Sequence, residues 1–154
     1  MRRRHRDPGA GRDTGTTHSG RGYEPFVISH HGASWCGIDK WPVPVYPGEM
    51  FGKTWGRAAL VEFYKPWAEV EAKGVKIHIG EFGYYNRTPN DVALRWLDDL
   101  MSVLADYGWG LSLWNFMGSF GIVEHGRPGA VFMEYKRFHV DMNLLNILKK
   151  NRIK

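Results

Sequence analysis

Glu81 is the side chain of this sequence best placed to do acid–base or nucleophilic work. It closes the run Val75-Lys76-Ile77-His78-Ile79-Gly80-Glu81-Phe82-Gly83, and two tyrosines, Tyr84 and Tyr85, come next. The run alternates β-branched residues and reads as a strand. Its end places a carboxylate between glycines, whose small size lets a backbone or a ligand come close. In α/β folds ligands bind at the carboxyl ends of strands. A Glu in this position can also cap the next helix or face solvent.

Two other segments end in residues of similar character. Phe26-Val27-Ile28-Ser29-His30 reads as a buried strand ending in His30 and His31, and Leu111-Ser112-Leu113-Trp114-Asn115-Phe116 as a strand ending in Trp114 and Asn115. A helix over 58–73, carrying Pro66 and so expected in two pieces, separates the first two strands. A second helix, with Thr88 as N-cap and Pro89 at its first position, runs to about Tyr107 and ends at Gly108. A third runs from Asp141 to Lys150. Strand, helix, strand, helix, strand, helix predicts a parallel α/β sheet with right-handed crossovers. All three strand ends then fall at one face.

One carboxylate, one or two imidazoles and several indoles, with no Lys or Arg cluster beside them, point to a neutral ligand. Indole stacking on the CH face of a pyranose suits that set better than phosphate binding. The loop from Gly32 to Gly48 is long for a connector and carries Trp35 and Trp41, which favours a binding role. Adjacent His30 and His31 would point to opposite faces of a strand, a poor metal pair. His78 reads as a hydrogen-bonded core residue, and His125 and His139 as surface residues. Cys36 stands alone, so no internal disulfide is available.

The bounds agree with one ordinary domain: 154 residues, 43% hydrophobic and 14% aromatic. The net charge of +5 is uneven, because residues 1–22 hold six Arg against two Asp. Those residues contain no Val, Ile, Leu or aromatic side chain. They read as a disordered basic leader, either an unrelated leader or a nucleic-acid-binding arm, ahead of a folded domain over 23–154. No apolar run reaches membrane-spanning length and no secretory signal is visible, which leaves the compartment open. No GxGxxG or phosphate-loop signature occurs, and no cofactor is expected.

Three of these segments resemble motifs of one enzyme family. Tyr23-Glu24-Pro25-Phe26-Val27-Ile28-Ser29-His30-His31-Gly32-Ala33-Ser34-Trp35 resembles the sixth-strand motif of glycoside hydrolase family 5, the cellulase family. Gly80-Glu81-Phe82-Gly83 is similar to its seventh, and Leu113-Trp114-Asn115-Phe116 with Gly118-Ser119-Phe120-Gly121 to its eighth. The resemblance implies a (β/α)8 barrel, of which this chain carries strands 6 to 8, and a retaining mechanism. It makes Glu81 the nucleophile, Tyr23 its hydrogen-bonding phenol, His30 a substrate contact and Trp114 the platform under the cleaved sugar. Trp35 and Trp41 become further sugar platforms. The implied ligand is a β-linked oligo- or polysaccharide, with neither nucleic acid nor membrane as partner.

The pattern departs from the family twice. Arg21 stands where the family has a His, two residues before the tyrosine. The first five strands, which carry an Asn-Glu pair whose Glu is the acid/base, have no counterpart, and no Asn-Glu dipeptide occurs. A barrel takes about 250 residues. The expectation is therefore a fragment inactive alone, with open edges prone to self-association. The alternative is a non-catalytic carbohydrate-binding remnant.

Overall fold

A computed structural model describes residues 15–152. Its centre is a three-stranded parallel sheet in chain order, β1 (Thr17–Gly22), β4 (Lys76–Phe82) and β5 (Gly110–Leu113). Between them run α1 (Phe26–Ser29), the hairpin β2 (Gly48–Met50) and β3 (Lys53–Trp55), α2 (Arg57–Glu71) and α3 (Asn90–Tyr107). A second hairpin, β6 (Phe132–Tyr135) and β7 (Phe138–Asp141), leads into α4 (Met142–Lys150). The strand–helix alternation and the parallel sheet are those the sequence predicts.

The first strand is not where the sequence places it. Phe26–Ser29 is a helical turn, with Ile28 N–H donating to Pro25 O and His30 N–H to Phe26 O. A four-residue apolar run has no periodicity that separates strand from helix. Its carbonyls are satisfied from the loop after β4, by Tyr85 N–H at Ser29 O and Thr88 Oγ1 at Ile28 O. That use of Thr88 also explains why it does not cap α3, where Pro89 occupies the cap position.

The strand is formed instead by residues 17–22, whose composition predicts part of a disordered leader; residues 1–14 lie outside the described residues. This strand needs no apolar side chains because its neighbours pack on its backbone. A Cβ on Gly20 would sit 2.7 Å from the Trp67 ring, and one on Gly22 2.7 Å from Phe82 Cβ. Bare backbone lets α2 and β4 close over β1 directly. The folded unit therefore begins before Tyr23.

Helix α2 is continuous through Pro66. Pro66 and Glu62, whose carbonyl loses its partner, are both exposed, so water can take that bond. The core lies between the sheet and the helices: Leu60 and Tyr64 from α2, Ile77, Ile79 and Phe82 from β4, and Trp96, Leu97, Leu100 and Leu104 from α3. Gly108 ends α3 in the left-handed region at φ 72°, as its type predicts. In α4, Asp141 caps by accepting from Leu144 N–H at 3.0 Å. Leu144 is its fully buried residue, while the predicted inward residues Met142, Leu145 and Leu148 are only partly buried.

A branched side chain at Gly20 would have to displace the Trp67 indole. The substitution Gly20→Val should therefore destabilise the chain by about 1–3 kcal/mol, read as a lower urea midpoint. An unchanged midpoint would show that β1 does not lie against α2.

Candidate active site

Strand β4 alternates along its length: Ile77 and Ile79 face the helices, while Lys76 and His78 face the open side. Strict alternation would turn Glu81 into the core beside Ile79. An extra residue prevents this. The register steps from Gly20↔Ile79 to Arg21↔Glu81 on one side, and from Ile79↔Leu111 to Phe82↔Leu113 on the other. Gly80 is the residue left over, a bulge that re-aims the side chains after it. Phe82 is consequently buried, and Glu81 emerges on the open side with 27% of its side chain exposed. Glycine suits position 80 because a Cβ there would overlap Ser19 Oγ of the neighbouring strand.

Both oxygens of Glu81 are held. Tyr23 Oη donates to Oε2 at 3.2 Å, and the Arg21 guanidinium lies 3.1 Å from Oε1. Burial first, and then the charge of and hydrogen bond to Glu81, push the Tyr23 phenol well above its ordinary value, so it remains a donor. Arg21 directly opposes Glu81 across the β1–β4 pairing and points to the same open side. The position that departs from the family pattern thus meets the carboxylate itself.

Trp114 is fastened beside this carboxylate through backbone. Its N–H donates to Phe82 O at 2.7 Å, and Gly83, at φ 152°, brings its own Cα close enough that a Cβ would lie 2.5 Å from Trp114 O. Trp114 is 49% exposed. His30 joins from α1. Its ring stacks on Phe26 at 4.0 Å and meets Tyr23 edge-on at 4.9 Å, while Ser29 Oγ lies 2.9 Å from Nδ1. Burial holds its imidazole at about 4, neutral over the ordinary range.

Phe120 links this group outward. It contacts Tyr23, His30, Trp35 and Tyr85, and Trp35, 60% exposed, stands edge-on to Tyr85 at 4.7 Å. One face thus carries Glu81, Tyr23, Arg21, His30 and the Phe120–Tyr85–Trp35 rings. Trp41 stands apart from this group, in contact with Phe51 of the β2–β3 turn. Tyr85 and Phe120 carry no role in the sequence reading. Their signal was their position, immediately after two strand-end motifs.

The other histidines divide. His78 lies on the open face, hydrogen-bonded to Ser112 Oγ at 3.1 Å, and so is bonded but not in the core. His125 is buried rather than at the surface: Nε2 meets Asp141 Oδ2 at 3.0 Å and Nδ1 accepts from Arg127 N–H. The alternating apolar pattern that marks burial is absent around it, because its partners are a carboxylate at the end of β7 and the backbone N–H of Arg127. His139 is exposed as predicted. Cys36 is a free thiol. Among the described residues no group of three or more His, Cys, Asp or Glu could hold a metal ion.

The chain matches no protein-family model and no curated protein. Solved structures do match. A crystal structure of a glycoside hydrolase shares 52% sequence identity over 89% of this chain, at a TM-score of 0.84. Over most of its length the chain is thus similar to part of a glycoside hydrolase. The Cel5A endoglucanase of Thermotoga maritima, in complex with cellobiose, matches this chain at a TM-score of 0.63 and 24% identity over 86% of its length. The same enzyme with mannotriose matches at 0.61 and 24% over 86%. These more distant matches show a shared fold, and the resemblance to family 5 drawn from three short motifs agrees with them. The chain spans 42% of the first structure and 38% of each Cel5A structure.

The buried neutral His30 has a pH signature. Unfolded, it takes up a proton below about 6.5; folded, not until about 4. Its contribution to stability is therefore complete above the first value and lost as pH falls towards the second. Chemical denaturation across that window should show the wild type losing more stability than His30→Gln. A difference between the two that does not change with pH would contradict the burial.

Proposed function

We propose that the Glu81 face is the nucleophile half of a retaining glycosidase site acting on β-linked glucan or mannan chains. The observation that carries this is the carboxylate fixed at the end of β4 by a phenol and a guanidinium. Tyr23 and Arg21 hold both oxygens of Glu81 on the open side of the sheet, and Trp114 is tied to the same strand end. A retaining nucleophile must be ionised and aimed at the anomeric carbon. A phenol that stays protonated and a guanidinium both favour the charged carboxylate. Trp114 would lie under the sugar, His30 would contact it and Trp35 would extend the binding face. Cel5A, with the same fold, holds cellobiose and mannotriose, which fits either glycan.

In this reading β1, β4 and β5 are the sixth to eighth strands of a barrel. Retaining hydrolysis needs a second carboxyl group about 5–5.5 Å from the nucleophile to protonate the leaving oxygen. Among the described residues the polar partners of Glu81 are Tyr23 and Arg21, neither of which is such an acid. The acid/base would come from strands outside this sequence, paired at the edges of β1 and β5. Along β5 an open apolar hollow of about 400 Å³, lined by Leu111, Leu113, Met101 and Leu148, marks one such edge. A second copy of the chain would cover the same edges in self-association.

A second reading, carbohydrate binding without turnover, is favoured by the exposed indoles of Trp35 and Trp114. Covalent labelling of Glu81 by an activated fluoroglycoside separates the two, and assay of the full chain on cello- and manno-oligosaccharides tests the missing acid. General acid catalysis is worth about 10²–10⁴ in rate, so the chain alone should show negligible turnover, unchanged in Glu81→Gln. Cleavage that Glu81→Gln abolishes would mean that a carboxyl group from another copy serves as the acid. Robust cleavage that survives Glu81→Gln would sink the nucleophile assignment.

A further inference from the structure

The segment between α1 and α2 carries a second aromatic face that the Glu81 site does not use. Trp41 and Phe51 meet at 4.8 Å with their planes tilted by 56°. Neither ring contacts the Tyr23–His30–Phe120–Trp35–Tyr85 group among the described residues. Both are exposed, Phe51 by 65%. Phe51 also lines a hollow of about 260 Å³, together with Val43, Val45, Glu49 and Met50.

Phe51 is the unusual member. It and Gly52 are the two residues joining β2 to β3, and both have positive φ, 51° and 72°. A two-residue hairpin turn with both central residues at positive φ favours Asn-Gly or Gly-Gly. A phenylalanine there is strained, and its ring gains no burial in return. The turn gives no structural reason for an aromatic side chain; presenting one outward does. The platform is also stiff. Trp41 N–H is bonded to Ile38 O at 3.1 Å, and Pro42 and Pro44 fix the backbone that leaves it.

We infer that Trp41 and Phe51 form a glycan-binding platform separate from the Glu81 site, taking the pyranose rings of a β-linked hexose polymer. Two flat exposed rings suit the apolar faces of sugar residues, and the Glu49 carboxylate on the wall of the hollow can accept from their hydroxyl groups. The choice of ligand rests on the glycan reading of the Glu81 face; the existence of a second site does not.

The test is retention of the full chain on insoluble cellulose and on insoluble mannan, compared among wild type, Trp41→Ala, Phe51→Gly and Trp114→Ala. The wild type should be retained on at least one polymer. Trp41→Ala and Phe51→Gly should each lower that retention by about fivefold or more, the scale of one lost aromatic contact. Trp114→Ala removes the share of the Glu81 face and should leave retention that Trp41→Ala or Phe51→Gly lowers further. Glycine is at home at the φ of residue 51, so Phe51→Gly should melt at or above the wild-type temperature. Weakened retention with unimpaired melting is the outcome a structural role for the ring would not produce. If Trp114→Ala abolishes retention while the other two leave it unchanged, all glycan binds at the Glu81 face; the platform is then refuted and the glycosidase reading survives. A fall in the melting temperature of Phe51→Gly would overturn the assignment of that ring. Absence of wild-type retention on either polymer would overturn the platform, leaving covalent labelling of Glu81 as the separate judge of the site.

Discussion

One extra residue in a strand determines what this chain can do. Side chains alternate across a sheet with a period of two, so a carboxylate two positions beyond Ile79 belongs with Ile79, against the helices. Gly80 breaks that count. By standing unpaired in both ladders, it lets Phe82 take the core position and turns Glu81 outward. Everything around Glu81 depends on this. Arg21 reaches it because the bulge restores Arg21 and Glu81 as cross-strand partners. Trp114 stands beside it because β5 re-enters register at Phe82.

The site is built by close backbone approach more than by apolar side chains. Gly20 and Gly22 make β1 thin enough for Trp67 and Phe82 to cover it, Gly80 yields to Ser19, and Gly83 yields to the Trp114 carbonyl. Such contacts fix relative positions firmly, since a methyl group in any of these places needs a shift of its neighbour. The aromatic group then grows outward from Tyr23 through Phe120 to Trp35, each ring seated on the one before. A polar knot of His125, Arg127 and Asp141 anchors the segment after Phe120 to the start of α4. The loop that carries Phe120 is thereby tied to the same core as Glu81.

Much of this was legible in the residues. The Glu81 strand, the helix ending at Gly108 and the parallel order all come from periodicity and capping chemistry. Tyr23, Glu81 and His30 were named together from motif resemblance, and the structure brings their side chains into contact. Trp114, named with them, stands at the adjacent strand end. The first strand was not legible, because residues 17–22 achieve burial through missing side chains, and hydrophobic patterning registers only those present. Phe26–Ser29, which has the apolar residues, turns instead because its carbonyls find partners in the loop after β4. The two hairpins escaped for a related reason: strands of three or four residues are shorter than the windows in which alternation can be counted. With the hairpins unseen, the partners of His125 and Trp41 were unseen as well.

The function proposed for this face stands on Glu81 being the carboxylate that meets the anomeric carbon. The most direct measurement is incubation of the chain with a 2,4-dinitrophenyl 2-deoxy-2-fluoro-β-glycoside, followed by intact-mass detection and peptide mapping. An activated aryl leaving group needs no proton, so this reagent reports the nucleophile even without an acid/base partner. The predicted result is slow addition of a single fluoroglycosyl group, mapped to Glu81 and absent in Glu81→Gln. A label on any other carboxylate, or one that persists in Glu81→Gln, would contradict the assignment.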